Sequence, residues 1–366
     1  MSTRLADVTA PPRPRPPAEA DFGRVRQEVD AALGEFLDAQ ARDPADRCLP
    51  PLVGVLREFV RGGKRLRPLF CYCGWLAAGG DPSGGPVARA GAALELFHSF
   101  ALIHDDVMDS SDTRRGRPTV HRQLAARYQG DDEPSAARFG VNAAILLGDL
   151  CLAWADEMLL TAGLGEDDLR RASPVLHAMR SEVMAGQYLD LAGEWTEDVL
   201  DRSWRALRLK TAGYTVERPL QIGAALAGGT PALLRWCSAY GRPLGEAFQL
   251  RDDLLGVFGE PGTTGKSVLD DLREGKQTVL MALTWRRAGP RQRAVIRELH
   301  GAPGLDEDGA ARLRDVITAT GAEDVVGELI EARAREARGA LDSAGLPAVA
   351  RRAFAELVHQ AIRRTR

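Results

Sequence analysis

Lysine is nearly missing from this sequence. Of the 48 basic residues in a chain of 366, four are lysines (Lys64, Lys210, Lys266 and Lys276) and the other 44 are arginines. A sequence that writes arginine wherever a cation will serve keeps lysine where a compact ammonium on a flexible stem is needed. Aromatic residues are also scarce, at 6%, and the formal net charge is only −3. Without a basic surplus or interleaved aromatic and basic residues, nucleic acid is not expected as a partner. The five cysteines, Cys48, Cys71, Cys73, Cys151 and Cys237, are odd in number and scattered apart from one C-x-C pair. They read as free buried thiols in a reducing compartment rather than a disulfide frame or zinc site. No apolar run approaches the roughly 18 residues of a membrane span. The best stretch, Ala143 to Ala155, carries Asp149 in its middle. With no apolar leader segment either, a cytoplasmic location is expected.

What is present is an ordinary globular composition, 45% hydrophobic and 27% charged. Residues 1–20 hold Pro11, Pro12, Pro14, Pro16 and Pro17 interleaved with Arg13 and Arg15, the pattern of a disordered polar tail. From 21 to 366 the chain is helical in character: Ala, Leu, Arg and Glu dominate and apolar residues recur at helical spacing. Glycine and proline clusters divide it into long segments, strand-like alternation is missing, and no repeat is visible. The expectation is one all-α domain, a large helical bundle.

Two aspartate pairs stand at the ends of apolar helices. In the first, Leu102-Ile103-His104-Asp105-Asp106-Val107-Met108-Asp109 continues into Asp112-Thr113-Arg114-Arg115-Gly116. On a continuous helix Asp105, Asp109 and Asp112 share one face, with Asp106 about 100° away. Carboxylates so placed repel unless a hard cation sits between them, and Mg²⁺ takes one or two carboxylates plus substrate phosphate oxygens. One such pair is equally an acidic helix end facing water. The second is Phe248-Gln249-Leu250-Arg251-Asp252-Asp253-Leu254-Leu255-Gly256, and two facing helices of a bundle can build a chelate site together. Downstream lie Thr264-Gly265-Lys266 and Asp270-Asp271-Leu272-Arg273-Glu274-Gly275-Lys276. Upstream, Gly62-Gly63-Lys64-Arg65-Leu66-Arg67-Pro68 packs cations behind a flexible double glycine; the arrangement fits a polyanion but lacks P-loop spacing.

Together with Gly186–Leu191 (GQYLDL) and Lys210-Thr211, these motifs resemble, in matching order from 62 to 278, the trans-isoprenyl diphosphate synthases of the farnesyl/geranylgeranyl type. The resemblance implies an all-α bundle around a central cavity, usually a homodimer, and a Mg²⁺-dependent condensation of isopentenyl diphosphate with an allylic diphosphate (dimethylallyl, geranyl or farnesyl). It implies that Asp105, Asp106, Asp109 and Asp252 hold the metal, usually three Mg²⁺. Arg114, Lys210, Lys266, Thr211 and Gln249 would meet the allylic diphosphate. Isopentenyl diphosphate would be bound by Lys64, Arg67, His98 and Arg115 without metal. His98 lies seven residues before Asp105, about 20° off its face. The second motif departs from the family where a third aspartate is often found and Gly256 stands. Asp253 is then expected behind the ligand, with Asp270 or Asp271 as candidate substitutes.

Phe100 and Ala101, five and four residues before Asp105, are the expected floor for the growing chain. One large residue and no insertion in the motif resemble synthases that stop at geranylgeranyl diphosphate; farnesyl or longer products are the alternatives. A class I terpene cyclase would need an N-x-x-x-S-x-x-x-E triad, and the sole asparagine, Asn142, has no such setting. A non-catalytic partner subunit would be expected to have lost aspartates or lysines. Tyr188, Met108 and the tryptophans read as packing, and His104 has no assigned role.

Overall fold

The computed structural model describes residues 20–42, 49–130, 132–259 and 269–362. The proline-rich tail, Cys48 and Lys266 therefore lie outside the described residues. Helices α1 (Phe22–Ala41), α2 (Leu49–Phe59), α3 (Leu66–Ala77) and α4 (Pro86–Met108) are followed by α5 (Val120–Ala125), α6 (Glu133–Leu160) and α7 (Glu166–Leu191). Then α8 (Val199–Ala206) runs into a π-helical stretch, Leu207–Glu217, that continues as α9 (Arg218–Leu226), with α10 (Pro231–Phe258) beyond. The remaining helices are α11 (Asp270–Arg273), α12 (Val279–Arg287), α13 (Pro290–Leu299), α14 (Glu307–Ala319), α15 (Ala322–Asp342) and α16 (Ala348–Ile362). The only described strands, Thr113–Arg114 and Arg117–Pro118, form a two-residue hairpin. The chain is all-α, as its composition and periodicity require.

Local chemistry starts these helices where the sequence places its breakers. Asp21, Asp132, Thr230 and Asp306 each accept the backbone N–H three residues on. Each such cap contributes about 1 kcal/mol. Pro86, Pro231 and Pro290 occupy first-turn positions where no N–H is missed. Two apolar clusters hold the helices together. One gathers α1 to α7, α9, the first half of α10, the end of α15 and α16; the other gathers the second half of α10 with α8, α12 to α14 and the start of α15. The four described cysteines are free and buried. No described helix is long and apolar enough to cross a membrane.

In α9 every residue from Pro219 to Leu226 is buried, so it is a core helix rather than an amphipathic one. Its closest neighbour is α3, and the crossing is made by glycines. A methyl group added at Gly223 would lie 1.7 Å from the Cys71 carbonyl oxygen, and one at Gly74 would lie 1.9 Å from that of Leu220. Both helices would have to separate to admit either carbon. Gly223→Ala is expected to cost about 3 kcal/mol, the upper end for overpacked cores. A thermal unfolding midpoint equal to that of the wild type would show that α3 and α9 part without cost.

Candidate active site

One wall of the site is the end of α4. Its apolar residues from Ala90 to Ile103 are mostly buried, which fixes the helix's rotation and turns Asp105 toward a cavity. The helix stops at Met108; Asp109 caps it and Ser110, at φ 54°, turns the chain away. Asp112 is therefore not on the face of Asp105 and Asp109 as a continuous helix would have it: it is exposed and pairs with Arg122 at 2.6 Å. Asp106 points the other way from Asp105. It is 1% exposed, and its two oxygens accept from Arg114 Nε at 2.8 Å each. The Asp106 carboxylate, expected among the metal holders, is engaged here by the Arg114 guanidinium.

Arg114 is aimed by the hairpin, whose central residues Arg115 and Gly116 have φ of 54° and 71°. Two successive positive φ values define the tight turn that matches strand twist, and glycine supplies one of them at no steric cost. Arg114 and Arg115 thus both line the cavity from adjacent positions.

The lysines close on the aspartates. Lys210 Nζ lies 2.9 Å from Asp105 Oδ1 and 2.6 Å from Asp190 Oδ2. Lys276 Nζ lies 3.1 Å from Asp109 Oδ2 and 2.7 Å from Glu274 Oε2. Ser111 Oγ donates to Glu274 at 2.8 Å, tying the end of α4 to the segment that carries Lys276. Burial pushes the Asp105 carboxyl up, but Lys210 and Lys276 overcome it and bring the group down to about 2. At Asp109 burial prevails over Lys276, and with Asp105 beside it the carboxyl is raised.

The opposing wall is the last two turns of α10, where Gln249, Asp252, Asp253 and Gly256 line the same cavity. Asp253 is buried and accepts from Gln249 Nε2 at 2.7 Å. Burial, reinforced by Asp271 and Asp252, pushes its carboxyl up to about 8 despite the Gln249 bond. Gly256 has a specific neighbour. A methyl group there would fall 1.9 Å from Asp271 Oδ2, so the carboxylate of Asp271 occupies the room that a side chain at 256 would need.

The basic loop divides its cations. Arg65, left-handed at φ 51°, is buried and spends its guanidinium internally on Asp30 (2.8 Å), Glu95 (2.8 Å) and the Val60 carbonyl (2.6 Å). It holds the loop in shape while Lys64 and Arg67 line the cavity on either side of it. Arg67 donates to Thr215 Oγ1 at 2.7 Å, and its buried Nε has no hydrogen-bond partner. His98 lines the cavity beside it and hydrogen-bonds the Tyr214 hydroxyl. Burial first, then Arg67 and Arg115, keep the His98 ring well below the ordinary histidine range and hence neutral.

Lys210, Thr211, Tyr214 and Thr215 all come from the π-helical stretch and all line the cavity. Such π-helical stretches are frequent at functional sites. Gly186 of the GQYLDL motif lets α7 pack directly on that backbone: a methyl group there would sit 2.5 Å from the Lys210 nitrogen.

Away from the charges the cavity, about 1260 Å³ in all, is apolar. Phe100, Ala101 and His104 line it from α4, and Val183, Met184 and Tyr188 from α7. Tyr188 and Met108 are 73% and 46% exposed, so they are cavity wall and not the packing residues that their sequence setting suggests. His104 stacks edge-on against Phe100 at 4.8 Å, and its Nε2 lies 3.0 Å from the Ile145 carbonyl of α6.

An all-α bundle with carboxylates on two opposed helix ends, lysines between them and a separate basic pocket defines a class of enzyme that handles diphosphates at the mouth of an apolar cavity. The polyprenyl synthetase family model matches residues 50–317. The chain is 37% identical over 279 residues to a geranylfarnesyl diphosphate synthase of Aeropyrum pernix, covering 75% of this chain and 80% of that one. It is 33% identical over 330 residues to a (2E,6E)-farnesyl diphosphate synthase of Mycobacterium tuberculosis, covering 83% and 85%. A crystal structure of geranylgeranyl pyrophosphate synthase from Corynebacterium glutamicum, complexed with isoprenyl diphosphate and magnesium, superimposes with a TM-score of 0.87 at 40% identity, covering 94% of this chain and 100% of that one. The chain belongs to the polyprenyl synthetase family, a family of magnesium-dependent enzymes that join isopentenyl and allylic diphosphates, and is a trans-prenyltransferase.

Proposed function

We propose that this enzyme elongates an allylic diphosphate with isopentenyl diphosphate to give chiefly geranylgeranyl diphosphate, as a cytoplasmic homodimer using three Mg²⁺. The observation that supports the reaction is the division of the cavity mouth: Asp105 and Asp109 with Lys210 and Lys276 on one side, and Arg67, Arg115 and a neutral His98 on the other. Among the described residues no three acidic, His or Cys side chains converge on one point. The cavity walls carry carboxylates from both helix ends, which suits Mg²⁺, since it takes one or two carboxylates and keeps waters and phosphate oxygens in its shell. Asp105, Asp109 and Asp252 would hold the metal, with Asp271 supplying the carboxylate that Gly256 lacks. Bound there, magnesium would neutralise charge on the diphosphate as a Lewis acid.

Arg114, aimed by Asp106, and Lys210 grip the allylic diphosphate from the protein side, with Thr211 and Gln249 beside it; Lys266 completes the grip in this reading. As the allylic C–O bond breaks, its electron pair leaves with the diphosphate, and these pre-positioned cations stabilise the growing charge. Lys64, Arg67, His98 and Arg115 hold isopentenyl diphosphate intact, with its double bond beside the forming allylic cation. The double bond attacks, a carbon–carbon bond forms, and the departed diphosphate accepts the proton that is lost. No protein base is needed.

Exposed apolar side chains on α6, Phe139 at 44%, Ile145 at 40% and Leu146 at 61%, support the homodimer, since a second copy would remove them from water. Phe100 at the cavity wall supports the product length. Purified protein incubated with Mg²⁺, isopentenyl diphosphate and each of the dimethylallyl, geranyl and farnesyl primers is expected to yield geranylgeranyl diphosphate as the main product. Cyclised hydrocarbon in place of a longer diphosphate would sink the elongation reading, and turnover only on addition of a second protein would point to a partner subunit.

A further inference from the structure

Tyr214 belongs to none of the sequence motifs, yet it touches two members of the basic pocket at once. It sits on the π-helical stretch, 5% exposed, with its ring on the cavity wall. Its hydroxyl is hydrogen-bonded to His98 Nδ1, and the guanidinium carbon of Arg67 lies 4.0 Å above its ring centroid. Phe97 braces the ring edge-on from below at 6.0 Å. We propose that Tyr214 is a positioning residue for the homoallylic diphosphate, fixing the poses of both His98 and Arg67. The proposal rests on reading that pocket as the isopentenyl diphosphate site.

The chemistry runs through the proton. The phenol is buried and is pushed up to about 12 by that burial, so it stays protonated at neutral pH and has a proton to give. In the proposal it donates that proton to the ring nitrogen facing it, which accepts. His98, held neutral by burial and by the Arg67 and Arg115 charges, carries its one hydrogen on Nε2, the nitrogen left for a phosphate oxygen. Without the tyrosine hydroxyl the imidazole can take either tautomer, and one of the two presents a lone pair to an anion. The ring has a second effect. A guanidinium over an aromatic face is held by cation–π attraction, more strongly where the pair is desolvated. Arg67 also spends one nitrogen on Thr215, so the stacked ring and that bond fix its guanidinium from two sides.

The test is Tyr214→Phe, which keeps the ring under Arg67 and removes the hydroxyl from His98. The KM for isopentenyl diphosphate is expected to rise about tenfold, and the Kd from direct calorimetric titration with isopentenyl diphosphate to rise by the same factor, while the KM for the allylic substrate stays within about twofold. If the hydroxyl acts through the imidazole, the same substitution in a His98→Ala background adds less than about twofold. A full tenfold loss in that background, or an unchanged KM in the single variant with an unchanged thermal midpoint, would overturn the proposal. His98→Ala and Arg67→Ala separate the two levels. If both raise the KM and Tyr214→Phe does not, the pocket reading stands and the role of Tyr214 falls. If neither does, the pocket reading falls and takes the proposal with it.

Discussion

Asp105→Asn is expected to lower kcat by about 10³-fold or more, the scale set by removing one pre-positioned electrostatic group from a transition state. The amide has nearly the same shape as the carboxylate and can still meet Lys210, but it carries no charge with which to hold a divalent ion. The neighbours are not stranded by the change. Lys210 keeps Asp190 at 2.6 Å, and Arg114 keeps Asp106 at 2.6 Å, so neither buried cation loses its last partner. The fold should therefore survive, with a cost in stability whose pH dependence is fixed in sign. Asp105 titrates near 2 in the folded state against an ordinary 3.8, so its ionised form favours the fold. The wild type's advantage over the variant should be full above about pH 4 and vanish as the pH falls through 2. Two measurements check this: steady-state turnover, and Mg²⁺ binding by calorimetry in the presence of a non-hydrolysable allylic analogue. A variant that retains a tenth of wild-type turnover would remove Asp105 from the metal-holding group.

How much of this was legible in the sequence depends on what kind of contact each residue makes. The all-α class was legible because periodicity and helix-forming composition are local properties summed over long segments. The grouping of the aspartate pairs with Lys64, Arg67, His98, Lys210 and Thr211 was legible through the family resemblance that the ordered motifs carry. What could not be read was orientation. Adjacent aspartates at 105 and 106 are the same residue to a motif, yet one faces the cavity and the other a buried guanidinium, because α4 is rotated by the burial of its apolar side. The same holds for Arg65 and Arg67, of which the first spends its guanidinium on Asp30, Glu95 and Val60 while the second meets Thr215 and the Tyr214 ring. Asp112 was misplaced because spacing arguments assume a helix that continues, and Ser110 in the left-handed region ends it. The π-helical turn left no sequence signal, and with it Tyr214 was missed; a lone tyrosine three residues after a Lys-Thr pair looks like core. Gly256 was visible as a departure, but only folding shows that a carboxylate from sequence position 271 fills its space.

Product length offers a second large effect. Phe100→Ala is expected to shift the main product to one isoprene unit longer. Phe100 and Ala101 on α4 and Val183 and Met184 on α7 line the apolar part of the cavity, where a chain growing away from the charged mouth would meet them. Phe100 cannot swing aside readily: His104 packs against its ring at 4.8 Å, and Phe97 lies 5.5 Å away on the previous turn. Replacing a benzyl group by a methyl opens a space close to the volume of one isoprene unit. Phe97 remains beyond it as the next barrier, which is why a single added unit is expected in place of an open distribution. A buried Phe→Ala change costs about 3–5 kcal/mol in a closed core. Here one side of the ring already borders a cavity, so the loss should be smaller and the variant should fold; Phe100→Leu provides a milder step in the same direction. Product lengths read by chromatography of the dephosphorylated alcohols decide the matter. If Phe100→Ala makes the same alcohol as the wild type at an unchanged rate, the chain does not stop at this ring, and the barrier must be sought among the α7 residues opposite.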